Sequence, residues 1–202
     1  LQPQRVVMSV LSSISDAVAT ITINRPETLN AMDLDTQKKL RTALLDARDR
    51  SDVRVIVLTG AGTKSFSTGS YLKGMPSVKD EPAAAWVSDD TTAAERVAYV
   101  RLLNFQSLEI WKPMLAAING YCIGGGLEVA LQCDLRVASD AASFSLPEVK
   151  IGSIAGVCGP LLHRVIPSAS AMKLLLTGAR IDAAEALRIG LVSDVWPQAE
   201  FG

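Results

Sequence analysis

The sequence predicts an α/β domain in which parallel strands are covered by helices on the outside. Short runs of β-branched and apolar residues alternate along the chain with segments of helical periodicity. A strand, a helix and a further strand in succession need a crossover connection, which makes the two strands parallel. With 202 residues, of which 49% are hydrophobic and 20% charged, the chain can bury a full core. We therefore expect one domain over residues 1–202.

The first part of the chain is predicted to hold a hairpin and one long helix. Residues 18–23 alternate β-formers at period two and stop at the turn residues 24–26, and residues 6–14 are their expected hairpin partner. Asp33 is placed to cap a helix that continues to about Arg50. The residues expected on the buried face of this helix are Leu34, Leu40, Leu44 and Ala47.

The middle of the chain is predicted to contain a strand, two loops and a helix. Residues 53–59 form an apolar run that ends at Gly60, which predicts a buried strand followed by a loop over residues 61–69. Residues 76–92 are polar, rich in alanine and interrupted by proline, so we expect a mobile surface loop there. Residues 92–111 have helical periodicity.

The remaining part of the chain repeats the alternation of strand and helix. Strands are expected at residues 114–118, 135–138, 143–146 and 191–196. Helices are expected at residues 156–165, 170–176 and 182–189.

Three consecutive glycines, Gly124, Gly125 and Gly126, stand where a predicted strand gives way to a helical pattern, with Glu128 in the first helical turn. Glycine lets a backbone N–H approach a ligand closely, and a helix N-terminus leaves N–H groups unpaired with partial positive charge. The segment therefore predicts a site for negative charge, and close packing is the alternative explanation for the glycines. The spacing fits neither a dinucleotide fingerprint nor a P-loop, which disfavours a nucleotide phosphate site.

Two glutamates are candidates for acid and base chemistry. Glu128 could be an ordinary first-turn helix carboxylate, stabilised by the helix dipole. Glu148 follows a proline among apolar residues, where desolvation raises the pKa of a carboxyl group, or it could be a surface residue paired with Lys150. If the two side chains converge, one favoured as the anion and one as the acid, they form an acid/base couple.

Charge and composition exclude several classes of function. The net charge of −1 and the lack of a Lys/Arg cluster argue against a nucleic-acid partner, and the apolar runs are too short or interrupted to span a membrane. No signal peptide is visible. His163 is the only histidine and has no motif around it, which weakens a Ser-His-Asp proposal. The cysteines lack metal-ligand spacing, so we expect no metal, buried free thiols and a reducing, cytoplasmic location; they are Cys122, Cys133 and Cys158.

Taken together, the motifs of the chain resemble the crotonase superfamily, the enoyl-CoA hydratase/isomerase family, from Ala19 to Trp196. The motifs that carry the resemblance are Thr22-Ile23-Asn24-Arg25-Pro26, Leu29-Asn30-Ala31-Met32, Phe66-Ser67-Thr68-Gly69-Ser70-Tyr71-Leu72, Lys112-Pro113-Met114-Leu115-Ala116-Ala117-Ile118-Asn119-Gly120, the glycine run with Glu128, Cys133-Asp134-Leu135-Arg136, Pro147-Glu148, Leu176-Thr177-Gly178, and Ala183-Ala184-Glu185-Ala186 with Gly190-Leu191-Val192.

The resemblance implies a crotonase-like spiral of ββα units with parallel sheets and outer helices, which binds an acyl-CoA thioester. It implies an oxyanion hole formed by the main-chain N–H groups of Ser70 and Gly125, with Glu128 and Glu148 as catalytic residues. The residues that it places along the substrate and CoA path are Leu29, Thr68, Ser70, Tyr71, Leu72 and Gly125.

The reaction implied by two glutamates is hydration of a trans-2-enoyl-CoA to a 3-hydroxyacyl-CoA. Isomerisation of an enoyl-CoA, hydrolysis of an acyl-CoA thioester and a non-catalytic acyl-CoA-binding subunit are the alternatives. No cofactor is expected, because the substrate carries its own coenzyme A. The family also implies a homotrimer or a dimer of trimers as the assembly.

The chain departs from the family pattern in three places. The family's Ala-Gly-Ala-Asp run is here Thr68-Gly69-Ser70-Tyr71, so an aromatic ring replaces the Asp. The glycine-rich run that the family usually has after the second glutamate is here Ala155-Gly156-Val157-Cys158-Gly159-Pro160. Within it, Gly156 stands where a dehalogenating relative has its Asp nucleophile, which argues against that reaction. The sequence ends near Phe201, so the helical tail of the family is expected to be absent or truncated.

Overall fold

The computed structural model describes residues 8–70, 102–157 and 159–201. The strands in these ranges are β1 Val10–Ser15, β2 Val18–Ile23, β3 Val55–Gly60, β4 Ser65–Ser67, β5 Met114–Ile118, β6 Tyr121–Ile123, β7 Leu135–Ser139, β8 Ser143–Ser145, β9 Arg180–Asp182 and β10 Asp194–Trp196. The α-helices are α1 Leu34–Asp49, α2 Gly125–Ala130, α3 Gly159–Val165, α4 Ser168–Thr177 and α5 Ala183–Arg188. Short 3-10 helices cover Pro26–Thr28, Gln106–Leu108, Pro147–Ile151 and Gln198–Glu200.

The larger sheet has six strands in the order β1-β2-β3-β5-β7-β10. All neighbouring strands are parallel except β1 and β2, which form the predicted antiparallel hairpin. Alternate residues of β2, namely Ala19, Ile21 and Ile23, are buried, because successive side chains of a strand point to opposite faces. The predicted α/β class with parallel strands is confirmed.

A second sheet has four strands in the order β4-β6-β8-β9. Of these, β8 was predicted, whereas β4, β6 and β9 were not. The loop expected over residues 61–69 contains β4, and β6 lies between the predicted strand at 114–118 and the helix. Both strands have three residues, too few to show a hydrophobic period. Each of β4, β6 and β8 directly follows a strand of the larger sheet, so the chain repeats a two-strand unit, as the resemblance implies.

Helix α1 begins as predicted and buries most of the expected face. The Asp33 carboxylate accepts the Thr36 N–H at 2.8 Å, which caps the first turn. Leu40, Leu44 and Ala47 are buried in the core. Leu34 is 43% exposed, so its predicted burial is wrong; as the first residue of the helix it precedes the turns that cover the sheet.

The segment before β5 differs from the predicted helix over residues 92–111. Within its described part, residues 102–103 are helical as predicted, but a 3-10 turn spans Gln106–Leu108, and Trp111 is non-helical with 90% of its surface exposed. Glu109 adopts φ +50°, a left-handed conformation that ends the turn. The rest of that prediction, and the loop predicted over 76–92, lie outside the described residues.

Asn30 connects the first turn after β2 to β4. It adopts a left-handed conformation with φ +56° and is completely buried. Its Oδ1 accepts the Arg25 N–H at 2.9 Å, and its Nδ2 donates to the carbonyls of Ala61 and Ser65 at 3.0 and 2.6 Å. One amide side chain therefore satisfies three buried main-chain groups and fixes the position of β4.

Two thiols behave as expected for structural cysteines. Cys122 and Cys133 are buried and free, which confirms that prediction, whereas Cys158 lies outside the described residues. Burial raises the pKa of the Cys133 thiol to about 12 and raises the pKa of the Cys122 thiol well above its ordinary value, so both thiols are protonated and unreactive at neutral pH. None of the helices in the described ranges has the length and apolar character needed to cross a membrane.

Candidate active site

The three glycines lie where the main chain of β6 passes into α2, directly against the main chain that follows β4. Gly124 adopts φ +53° before the helix, and its N–H donates to the Ser145 carbonyl of β8 at 2.9 Å. A Cβ on Gly126 would lie 2.2 Å from the Ser67 carbonyl oxygen. No side chain fits between these two segments, so the close-packing explanation for the glycines is correct in part.

The same approach places the Gly125 amide beside the residue that precedes Ser70. A Cβ on Gly69 would lie 2.6 Å from the Gly125 nitrogen. Gly69 has φ +81°, and its carbonyl accepts the Met32 N–H at 2.7 Å, which holds the turn in place. Within residues 8–70, 102–157 and 159–201, no acceptor takes the N–H of Ser70 or of Gly125. Gly125 and the residue before Ser70 are therefore in contact, and both predicted donors lack an acceptor among the described residues.

Glu128 is a buried carboxylate with a main-chain donor. Its residue is 7% exposed, and its Oε1 accepts the Val157 N–H at 2.9 Å. Its own N–H is used inside the helix, because it donates to the Gly124 carbonyl at 3.0 Å. A hydrogen bond to an ionised carboxylate is stronger than one between neutral groups, so this contact favours the anion.

Glu148 reaches the same place from the 3-10 helix Pro147–Ile151. A Cβ on Gly124 would lie 2.9 Å from Glu148 Oε1, so this carboxyl lies against the start of α2. Burial raises the pKa of Glu148 above its ordinary value, and the charge of Glu128 raises it further. Glu148 Oε2 is buried without a hydrogen-bond partner. Such an atom is more stable protonated or bound to water or a ligand than as a bare anion.

The structure therefore brings the two predicted glutamates together in unlike surroundings. Glu128 has an N–H donor, whereas one oxygen of Glu148 has none, and the charge of the first disfavours ionisation of the second. The alternative ion pair between Glu148 and Lys150 is not formed in the described part of the chain. The Lys150 side chain instead extends towards Gly178. An arrangement of this kind can hold one proton donor and one proton acceptor.

The structure describes only some of the remaining predicted site residues. Leu29 has φ +56°, and its carbonyl accepts the Ser65 hydroxyl at 2.8 Å and the Thr68 N–H at 3.2 Å. Leu29 and Thr68 are thus adjacent on the side of the site formed by β4. Tyr71 and Leu72 lie outside the described residues.

Sequence reasoning missed the contribution of Val157. It lies in the turn before α3, where the Gly159 N–H donates to the Ala155 carbonyl at 3.0 Å. A main-chain N–H has no signature in the sequence, and only the glycines near this turn indicated an unusual backbone. His163 is exposed on α3, as expected for a residue without a catalytic role. The described residues contain no cluster of His, Cys, Asp and Glu suited to a metal ion.

A second concavity, of about 550 Å³, lies elsewhere on the molecule. Its lining includes Phe105, Trp111, Leu131 and Leu161 and contains neither of the two glutamates. The paired carboxyl groups and the two amides, rather than this concavity, therefore define the candidate site.

The chain is similar to known proteins over most of its length. Residues 13–202 match the enoyl-CoA hydratase/isomerase family. The (E)-benzylidenesuccinyl-CoA hydratase of Thauera aromatica is 47% identical over 189 residues, which cover 93% of this chain and 70% of that protein. The short-chain-enoyl-CoA hydratase of Clostridium acetobutylicum is 38% identical over 91% of this chain and 67% of its own length. A crystal structure of an enoyl-CoA hydratase subunit from Geobacillus kaustophilus superposes with a TM-score of 0.81 at 35% identity, covering 96% of this chain and 71% of that one.

A matched pair of glycine substitutions tests the contact between α2 and β4. Gly126→Ala puts a methyl group against the Ser67 carbonyl, whereas a Cβ on Gly159 meets nothing within 4 Å. Gly126→Ala should lower the free energy of unfolding by at least about 2 kcal/mol because main chain cannot rotate away. Gly159→Ala should change it by less than about 1 kcal/mol, because alanine favours the helix. Urea unfolding of both variants measures the difference, and equal losses would contradict the contact.

Because the pKa of Glu148 is raised in the folded protein, the stability of the protein should depend on pH. The folded protein binds a proton on Glu148 more tightly than the unfolded chain does, so stability falls as pH rises from the unfolded pKa, near 4.5, through the raised folded pKa. Glu148→Gln removes this titration. The stability of the variant relative to the wild type should therefore increase as pH rises from 4 to 8. Chemical denaturation of both proteins across that range measures it, and a constant difference would show that the carboxyl has an ordinary pKa.

Proposed function

The chain belongs to the enoyl-CoA hydratase/isomerase family, and we propose that it catalyses the reversible hydration of a trans-2-enoyl-CoA to a 3-hydroxyacyl-CoA. One observation carries the proposal: Glu128 and Glu148 share a site in unlike environments, beside two main-chain amides without acceptors in the described ranges. Hydration needs a base for water, an acid for carbon and a stabilised thioester oxygen. The site offers a candidate for each.

In this proposal the thioester oxygen lies between the N–H groups of Ser70 and Gly125. Addition of water at Cβ moves electron density through Cα to that oxygen, which becomes the oxygen of an enolate. Main-chain donors that are held in place by the fold need no reorganisation when the charge develops, and one such donor is typically worth about 3 kcal/mol. The contact of Gly69 with the Gly125 amide supports this placement.

The two glutamates divide the proton transfers. Glu128, with its donor from Val157, takes a proton from the attacking water as the oxygen bonds to Cβ. Glu148, whose pKa is raised by burial and by the charge of Glu128, gives its proton to Cα as the enolate collapses. The product contains one more water molecule than the substrate. Proton exchange with solvent then returns Glu128 to its anionic form and Glu148 to its protonated form. Positioned acid and base groups typically contribute about 10²–10⁴-fold each.

We propose that the reaction needs no metal or organic cofactor. Coenzyme A, carried by the substrate as a thioester, already acidifies Cα, and the two amides supply the positive potential that a metal ion supplies elsewhere. The amides and carboxyl groups of the candidate site support this proposal.

A panel of enoyl-CoA thioesters tests the activity. We expect loss of the ultraviolet absorbance of the conjugated thioester and a product heavier by one water. The panel should contain crotonyl-CoA and (E)-benzylidenesuccinyl-CoA, because relatives named for a short-chain and for an aryl-substituted substrate are both similar to this chain. An unchanged mass indicates isomerisation, free coenzyme A indicates hydrolysis, and binding without turnover indicates a non-catalytic subunit. Each of these three results would contradict hydration.

Single substitutions test the roles of the carboxyl groups. Glu128→Gln and Glu148→Gln should each lower kcat about 10²–10⁴-fold, because each removes one proton-transfer group without changing its size. Glu200→Gln is the matched control, since Glu200 is exposed in a surface turn. Wild-type turnover in either site variant would exclude that glutamate from the mechanism.

We propose a homotrimer or a dimer of trimers as the assembly. Several large apolar side chains near Glu148 are exposed in the isolated chain, which supports burial against another copy; they are Val149, Ile151, Ile154, Met172 and Leu176. Light scattering coupled to gel filtration should give a mass of three or six chains. A monomer at micromolar concentration would contradict the proposal.

A further inference from the structure

The donor to Glu128 comes from a distant part of the chain and is firmly held. The Val157 N–H lies 2.9 Å from Glu128 Oε1, although the two residues are 29 positions apart. The Val157 side chain packs against the hydrophobic core, and the Gly159 to Ala155 hydrogen bond closes the turn around it. A donor anchored on both sides can fix the orientation of a buried carboxylate.

The helix that carries Glu128 provides little stabilisation of the Glu128 carboxylate by itself. Helix α2 has six residues, so its macrodipole is weak. The Glu128 N–H donates to the Gly124 carbonyl and not to a carboxylate. The Gln132 side chain donates to the main-chain carbonyl of Glu128 and likewise leaves the carboxylate to other donors. The expected stabilisation of the anion by the helix terminus is therefore supplemented by a group from another segment.

We propose that Val157 is a positioning residue, whose main-chain N–H orients Glu128 and favours its anionic form. This inference rests on the proposed function and names the segment that divides the roles of the two glutamates. The segment 148–157 begins with Glu148 itself and returns through Gly152, in a left-handed conformation, to the turn at Val157. One short stretch of chain therefore carries the acid and holds the base.

The charged groups around Glu128 are few in the part of the chain that the structure describes. Helix α2 holds no other ionisable side chain. On the neighbouring 3-10 helix, Glu148 is the group whose charge couples to it, and Lys150 is exposed. On α3, His163 and Arg164 are exposed. Among the described residues, Glu148 is thus the charged group that couples to Glu128, and removal of Glu148 leaves the Val157 hydrogen bond to be tested.

Replacement of the Val157 amide by an ester tests the inference without changing the side chain. The ester is introduced with the α-hydroxy acid analogue of valine in the full chain carrying Glu148→Gln, and Glu128 is followed by carbon-13 NMR of labelled glutamate. Loss of a hydrogen bond to the anion should raise the pH at which Glu128 titrates by about one to two units. Val157→Ala keeps the N–H and should titrate like the parent. Equal titration of ester and parent overturns the inference.

A measurement on the amide-bearing protein decides the question if the ester does not fold. The Val157 amide proton signal should move with pH as Glu128 titrates in the Glu148→Gln protein, and that movement should disappear when Glu128→Gln is added. A Val157 signal that is independent of Glu128 overturns the inference.

Activity then separates this inference from the proposed function. In the ester variant with Glu148 restored, the acidic limb of the kcat/KM profile should shift to higher pH, and kcat should fall about tenfold or more. The dissociation constant of butyryl-CoA, which cannot be hydrated, should change less than about twofold, since a purely structural defect would alter it too. Absence of turnover in the wild type would refute the proposed function, whereas the two NMR titrations would still decide the role of Val157.

Discussion

The candidate site depends on the contact of two main-chain segments that have no room for side chains between them. Gly126 lies against the Ser67 carbonyl, and Gly69 lies against the Gly125 amide. This contact joins the short strand β4 to the start of α2 and brings two N–H groups from distant parts of the chain into one place. Because the approach is between main-chain atoms, neither segment can adjust by rotating a side chain. The geometry of the amides is therefore as rigid as the packing of the second sheet.

The same main-chain contact positions the two carboxyl groups, but ionisation is less favourable for one of them than for the other. Glu128 enters the interior on the helix that this contact positions, and its charge is met by the Val157 N–H. Glu148 is pressed against Gly124 with one oxygen unpartnered, which is unfavourable for an ion and acceptable for a neutral acid. A fold selected for stability alone would not place these groups together. In the proposed reaction, this unfavourable proximity is what separates the proton donor from the proton acceptor.

Local sequence patterns predicted the elements whose start, end and buried face are set by residues within the element itself. Helix α1 has a capping Asp33 and a repeated apolar face, and β5 has an uninterrupted apolar run, so both were predicted closely. The strands β4, β6 and β9 have three residues each and exist because neighbours supply their hydrogen bonds. Leu34 was misplaced because periodicity alone does not show where the first helical turn leaves the sheet.

The functional side chains of the site could be predicted from the sequence, whereas its main-chain donors could not be recognised from local sequence patterns. Glu128 and Glu148 could be named from their sequence context, but their convergence depends on the second sheet, of which local patterns predicted only β8. The donors at Ser70 and Gly125 were expected only from the family resemblance, and the Val157 N–H was missed. A hydrogen bond from a backbone amide does not constrain the residue type, so Ser70 can differ from the family pattern while its N–H stays in place.

This difference between main-chain and side-chain functions has a consequence for specificity. If the amides and the two glutamates perform the proposed chemistry, most side chains around them are free to change without abolishing it. Substitutions such as Thr68 and Ser70 then alter the shape of the pocket for the acyl group and leave the oxyanion site intact. Relatives of similar sequence that are named for an aryl-substituted and for a short-chain thioester agree with such a separation. In the proposed mechanism, the side chains that border the site select the substrate, whereas the reaction depends on the two glutamates and the main-chain amides.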